Sequence, residues 1–320
     1  MRWPRVFQQA APDETDRPSP QTSLRRVHQW QLRCASRIDG HMIGGYDSIF
    51  KGEGIEFEET RPYQPGDDVR AIDWRVTARF DRPFVKQFRQ QRQLTVQVLV
   101  DGSASMRLPI GETLSSQDSP RGSVRSPLDI AREVSGLLIL IAAGQQDQVG
   151  LTLFTDRLEH AVAPQSGDNH AFRLIGDLVR WNPCGQGTDL SLPVRRVRQV
   201  AKQRSLILLA SDFLSLSDNR PLRALTRAHE VMPIWIHHAT NEGVPKCGLL
   251  RVIDPESRRT VWLDTNSRRQ RARFDAAAAE HRRHVHEMFA GLGVLPLEIG
   301  CRDDVVTRLH RYLDQRRQLA

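Results

Sequence analysis

The chain has 320 residues, 39% hydrophobic and 26% charged, a composition that excludes a disordered polymer and leaves enough apolar surface for a sizeable core. Its 46 basic and 38 acidic residues give a net charge of +8, divided as +3 over residues 1–93, +1 over 94–240 and +4 over 241–320; with no region strongly polarised, this is weak support for nucleic-acid binding. The four cysteines, Cys34, Cys184, Cys247 and Cys301, are far apart and form no C-x-x-C pair, which excludes a zinc ribbon and a disulfide scaffold.

Residues 1–22 are rich in Pro, Gln, Ser and Asp, lack an apolar h-region and carry acids, so they read as a disordered tail and not as a signal peptide. A helix is expected over Ser23–Leu32. Six glycines punctuate residues 40–66, and IEFEE alternates with strand period; short strands and turns follow. Residues 23–93 are therefore expected to form a small N-terminal domain, with a large α/β domain over 94–320.

The large domain opens with the strand LTVQVLV and an apolar helix over Pro127–Ala143. Strands QVGLTLF (148–154) and LEHAVA (158–163) come next, then helices at about 168–180 and 190–203, and the strand SLILLAS (205–211). A helix at about 219–229 precedes EVMPIWIHH (230–238). A hairpin at about 248–264, a long helix at about 266–290, the strand VLPLEI and a terminal helix complete the series. Continuous apolar runs such as LILLA suit strands covered on both faces, the pattern of a doubly wound, mostly parallel sheet. The longest uncharged apolar run, Gly136–Gly144, has nine residues against the ~20 that span a bilayer, so no membrane span and a cytoplasmic location are expected.

The first strand of the large domain ends in Asp101-Gly102-Ser103-Ala104-Ser105, at the sheet edge where open α/β folds bind ligands. One carboxylate and two closely spaced hydroxyls offer oxygens to a hard cation such as Mg²⁺, and serine in place of a second acid keeps the charge of the site low. Gly185-Gln186-Gly187-Thr188-Asp189-Leu190 adds a glycine-bearing loop with a hydroxyl ahead of a helix, and SLILLA runs into Ser211-Asp212-Phe213. Each motif alone has a bland explanation, a chance match or an N-cap; their order on one α/β alternation gives them weight.

That order resembles the metal-ion-dependent adhesion site of von Willebrand factor A domains. The resemblance implies that Ser103, Ser105 and Thr188 ligate Mg²⁺ or Mn²⁺ weakly, that Asp101 and Asp212 bind it directly or through water, and that a partner's carboxylate fills the open position. The stretch Phe50–Phe88, FKGEGIEFEETRPYQPGDDVRAIDWRVTARFDRPFVKQF, with VLVDGSASM, VGLTLFTDRLE, GTDL, LLASDF and RAHEVMPIWI after it, resembles the domain-of-unknown-function 58 family. That resemblance implies a von Willebrand A-like adaptor or co-chaperone of a MoxR-type AAA+ ATPase, binding the ATPase or its client, with no catalytic residues. Two departures from the family pattern stand out: the segment Arg107–Ser126 is long and polar, and an acid-rich turn after the site is missing. A Mg²⁺-dependent hydrolase or phosphoryl-transfer enzyme using the same site is the alternative.

Other signals are weaker. Halo-acid phosphotransfer needs an acid where Ser103 stands, and neither a G-x-S-x-G elbow nor a Walker A lysine motif occurs. His281, His284 and His286 lack H-E-x-x-H spacing, and the arginines between Arg268 and Arg283 are interrupted by acids, so both read as solvated helix faces. Pro65-Gly66-Asp67-Asp68 is a turn that either ties the small domain to the sheet by salt bridges or forms a partner surface. Trp74 is expected in a core.

Overall fold

The computed structural model describes residues 36–38, 40–49, 56–65, 67–69, 72–80, 82–89, 93–108, 125–214, 219–237, 248–253 and 260–319. The tail at 1–22, the helix expected over Ser23–Leu32 and most of the Arg107–Ser126 segment lie outside them. The elements in chain order are α1 (Gly40–Ile49), β1 (Glu56–Pro62), α2 (Trp74–Thr77), β2 (Phe84–Arg89), β3 (Thr95–Asp101), α3 (Ala104–Arg107), α4 (Pro127–Gly144), β4 (Gln148–Phe154), β5 (Leu158–Gln165) and α5 (Asp168–Arg180). They continue with α6 (Ser191–Val200), β6 (Leu206–Ser211), α7 (Arg220–Ala228), β7 (Glu230–His237), β8 (Leu249–Ile253), β9 (Thr260–Asp264), α8 (Arg268–Leu292), β10 (Leu297–Gly300) and α9 (Val305–Leu319).

Six strands form one sheet in the order β10-β7-β6-β3-β4-β5, parallel except for β5, which returns antiparallel to β4. The fold is thus α/β and doubly wound, as the alternation of apolar runs predicts. Both faces are covered: α4, α5, α9 and α1 bury one, and α6, α7 and α8 the other. Val96, Val98 and Val100 point to the first layer and Leu99 to the second, the two-residue period of a strand buried on both sides. α4 starts where Ser126 and Asp129 cap each other's backbone and Pro127 presets the first turn.

Chain order reverses between β3 and β6, which are neighbours with Val100 beside Ala210. Their carboxyl ends flank the topological switch point where doubly wound sheets open a crevice. Asp101 and Asp212 follow these two ends.

The N-terminal region departs from expectation at its start. Gly40–Ile49 is a helix, not strands and turns, and it belongs to the large domain's core: Met42 and Tyr46 are buried with α9 and α4, and the Tyr46 hydroxyl donates to Asp147 Oδ2 at 2.9 Å. One of its glycines serves close packing here. A Cβ at Gly45 would sit 3.2 Å from Leu313 Cβ of α9, so glycine lets the two helices approach.

What remains of the small unit is the antiparallel pair β1 and β2 with the one-turn α2. Asp67 takes two hydrogen bonds from Arg61, at 2.7 and 2.8 Å, and one from the Gln64 amide at 2.9 Å; the Arg61 guanidinium holds its carboxyl below the usual range. Both partners of this pair lie within the small unit. Trp74 is 67% exposed, contrary to expectation, because α2 buries none of its residues. The hairpin predicted at 248–264 is β8 and β9. No helix among the described residues is long and apolar enough to cross a membrane.

Candidate functional site

The sequence-predicted acids and hydroxyls converge at the switch point. Asp101 ends β3 with its side chain fully buried. Its Oδ2 accepts from Ser211 Oγ at 2.7 Å and from Thr188 Oγ1 at 3.3 Å, and its Oδ1 from the Ser103 amide at 2.8 Å. Ser103 and Ser105 place their hydroxyl oxygens 3.1 Å apart. Asp212 is buried one residue beyond Ser211, where its Oδ1 accepts from the Leu214 amide at 3.1 Å and its carbonyl from Trp235 Nε1 at 3.2 Å. Three separate chain segments thus supply two carboxylates and four hydroxyls to one place. Ser103 and Ser105 are enclosed, so the site is not the open, solvent-facing rim that a sheet edge suggests; Thr188 is its partly exposed member.

The electrostatics match the burial. Loss of hydration, and then the Asp212 charge, push the Asp101 carboxyl up to about 7, against hydrogen bonds from Ser211 and Ser103 that favour ionisation. The Ser211 and Thr188 hydroxyls and the Ser103 amide that donate to Asp101 are all neutral. Two acids enclosed with neutral hydroxyls suit a divalent cation, which neutralises both charges and accepts oxygen ligands. Among the described residues no group of three or more His, Cys, Asp or Glu is placed to hold a metal, so a cation here would depend on the serine and threonine oxygens. His286 instead faces Glu298 at 3.4 Å, and His281 is half-buried.

Several residues that the sequence did not single out hold this cluster in shape. Ser211 bridges, donating to Asp101 while accepting from the Phe213 amide at 3.1 Å. Phe213 has φ +53°, the left-handed region that costs a non-glycine residue about 1 kcal/mol or more. Burial against Phe289, edge-on at 5.1 Å, holds it there.

Glu159 organises the loop that carries Thr188. The antiparallel return of β5 begins at the same sheet edge, so its second residue faces that loop. The Glu159 carboxylate accepts from Gly185 N at 2.8 Å, Trp181 Nε1 at 2.8 Å, Cys184 N at 2.9 Å and Thr155 Oγ1 at 2.9 Å. Burial alone would raise its pKa, but these four donors outweigh it and hold the carboxyl below its ordinary value. From the other side Arg107 donates to the Pro183 and Gly185 carbonyls at 2.9 and 2.6 Å, and the Ala104 amide to Gln186 at 2.8 Å.

Glycine is required at two points of this assembly. A Cβ on Gly102 would lie 2.3 Å from Trp181 Cη2, and one on Gly185 2.0 Å from Thr155 Oγ1. Gly185→Ala is accordingly expected to lower stability by about 1–3 kcal/mol through forced displacement of the loop, whereas Gly144→Ala, with nothing within 4 Å of the new methyl, changes it by less than about 1 kcal/mol. Denaturant unfolding of the two variants checks the contrast; equal effects would show that the loop is not tightly seated.

The model of the family described as "Protein of unknown function DUF58" matches residues 59–284. The chain belongs to this family. It is 28% identical over 310 residues to "Uncharacterized protein Rv1480" of Mycobacterium tuberculosis, covering 95% of this chain and 92% of that one. The same figures hold for "Uncharacterized protein Mb1516" of Mycobacterium bovis. Among solved structures the chain is similar to conserved hypothetical protein BatB from Bacteroides thetaiotaomicron, at 12% identity and TM-score 0.43 over 70% of this chain and 99% of that one. It is also similar to an aerotolerance-related membrane protein from Bacteroides fragilis, at 14% identity and TM-score 0.45 over 71% and 100%. The DUF58 match contains the whole candidate site with Glu159 and Arg107, while α1, β10 and α9, which complete the core, lie outside it.

Proposed function

We propose that this DUF58 protein is a metal-ion-dependent protein-interaction module and not an enzyme. In this reading Asp101, Ser103, Ser105, Thr188 and Asp212 hold Mg²⁺ or Mn²⁺ weakly, and a carboxylate of a protein partner completes the coordination. Bound there, the cation supplies a positive centre that captures the carboxylate. The observation that carries the reading is the convergence of Asp101, Ser103, Ser105, Thr188 and Ser211 beside Asp212 at the switch point. Asp101 and Asp212 contribute charge, the hydroxyls orient Asp101, and the loop held by Glu159 brings Thr188 to the mouth. The partner implied by the family resemblance is a MoxR-type AAA+ ATPase or the client it remodels.

Calorimetric titration of Mg²⁺ into the protein and into Asp101→Ala tests the site: heat in the first and none in the second is expected, and equal binding in both rejects it. Ser103→Ala and Thr188→Ala are expected to weaken Mg²⁺-dependent capture of the ATPase, each with about 1 kcal/mol or less of lost stability. Capture insensitive to chelator overturns the adaptor reading. Metal-dependent turnover of a small substrate by the purified protein, lost in Asp101→Ala, would favour a hydrolase or phosphoryl-transfer enzyme instead.

A further inference from the structure

The near-neutral balance of residues 94–240 conceals a one-sided surface. α6 and α7 touch one another and bury Val194, Val197, Leu222 and Leu225 on the same face of the sheet. Their outer sides carry Arg195 and Arg198, with Lys202 just past the end of α6, beside Arg223 and Arg227 of α7, all exposed. From Ser191 to His229 the sequence has eight basic residues and two acids, Asp212 and Asp218, and Asp212 is buried in the site. On the neighbouring strands and helices some arginines have acids beside them, as Arg180 has Asp177 and Arg157 has Asp156. Among the described residues Arg198, Lys202, Arg223 and Arg227 have no such partner.

This face is continuous with the candidate site. α6 starts directly after the Thr188 loop, and α7 follows β6 and Asp212, so both helices descend from the edge where Asp101 lies. We propose that the α6–α7 face docks an acidic segment of the protein partner whose carboxylate approaches Asp101, an inference that rests on the interaction-module reading above. Charge complementarity selects a polyanion, and guanidinium forks match carboxylate and phosphate alike. What the two helices lack decides between them. Neither presents an exposed large apolar or aromatic side chain, leaving nothing to stack on bases or to insert into a bilayer.

Fluorescence anisotropy of a labelled poly-glutamate peptide with the full chain, at low salt, tests this in Mg²⁺ and in chelator. The combined reversal R198E, R223E and R227E is expected to weaken binding at least ~10-fold in both conditions and to flatten its salt dependence. Three reversals on α8, R269E, R273E and R283E, should change it by no more than about twofold. The charge-conserving set R198K, R223K and R227K should retain binding, which separates lost charge from a folding defect. Unchanged affinity after the α6–α7 reversal overturns the docking face even if Mg²⁺ strengthens binding through Asp101. Binding that responds to the reversal but not to Mg²⁺ supports the face and overturns the cation reading. Tighter binding of single-stranded DNA, or of phosphatidylcholine vesicles containing phosphatidylserine, through the same arginines overturns the assignment to an acidic protein.

Discussion

Asp101→Asn is expected to raise the melting temperature of the metal-free protein at neutral pH while abolishing its response to Mg²⁺. The carboxyl ionises near 3.8 in an unfolded chain and near 7 in the folded one, chiefly because it is buried and secondly because of Asp212. Below about pH 4 both states hold the proton and the group has no effect on stability. As the pH climbs toward 7 the unfolded state releases its proton first, so stability falls across that window and settles at a deficit on the order of a few kcal/mol. Asparagine has no charge to bury, and its amide can donate to the Ser211 and Thr188 hydroxyls, which then act as acceptors. Melting curves in chelator from pH 4 to 8 should therefore decline more steeply for the wild type than for the variant. Added Mg²⁺ should restore the wild type alone. A wild-type protein as stable as Asp101→Asn at pH 8 without metal would refute the account.

Glu159→Gln is expected to be as damaging as Asp101→Asn is stabilising. All four partners of Glu159 are donors, and although the Thr155 hydroxyl can turn to accept, Trp181 Nε1 and the two backbone amides cannot. Whichever way the glutamine amide is placed, its NH₂ meets an N–H, and the lost charge-assisted bonds amount to about 2–4 kcal/mol. A structural defect alone would lower only the melting temperature. If Glu159 positions Thr188, Mg²⁺ affinity should also fall at least ~10-fold under conditions where the variant is still fully folded. Affinity equal to wild type would leave Glu159 a purely structural residue.

The parts of this molecule legible in its sequence are those fixed by local pattern. Apolar runs such as LTVQVLV and SLILLAS can be buried only in a two-sided sheet, and an acid directly after each such run has to lie at the carboxyl edge, which is why Asp101 and Asp212 could be placed. Gly40–Ile49 was illegible because glycine ordinarily interrupts helices, and the reason for Gly45 is Leu313, far along the chain. The grip of Glu159 on the Thr188 loop spans more than twenty residues and involves mostly backbone amides, which leave no signature in side-chain chemistry. Trp74 reads as core by type and is exposed by circumstance. The basic side of α6 and α7 vanishes when charge is averaged along the chain, because a helix sorts its residues by face and a sum does not.

The packing of α1 on α9 has a bearing on synthesis. Met42 and Tyr46 leave the ribosome long before Leu309 and Leu313, with which they share one buried cluster. At ordinary translation rates the early helix waits on the order of tens of seconds with its apolar side uncovered. Closing a contact of such long range also makes the final folding step slow. Chaperone demand should therefore concentrate on nascent chains, and a ribosome stalled before α9 would leave a nearly complete sheet with one layer unfinished.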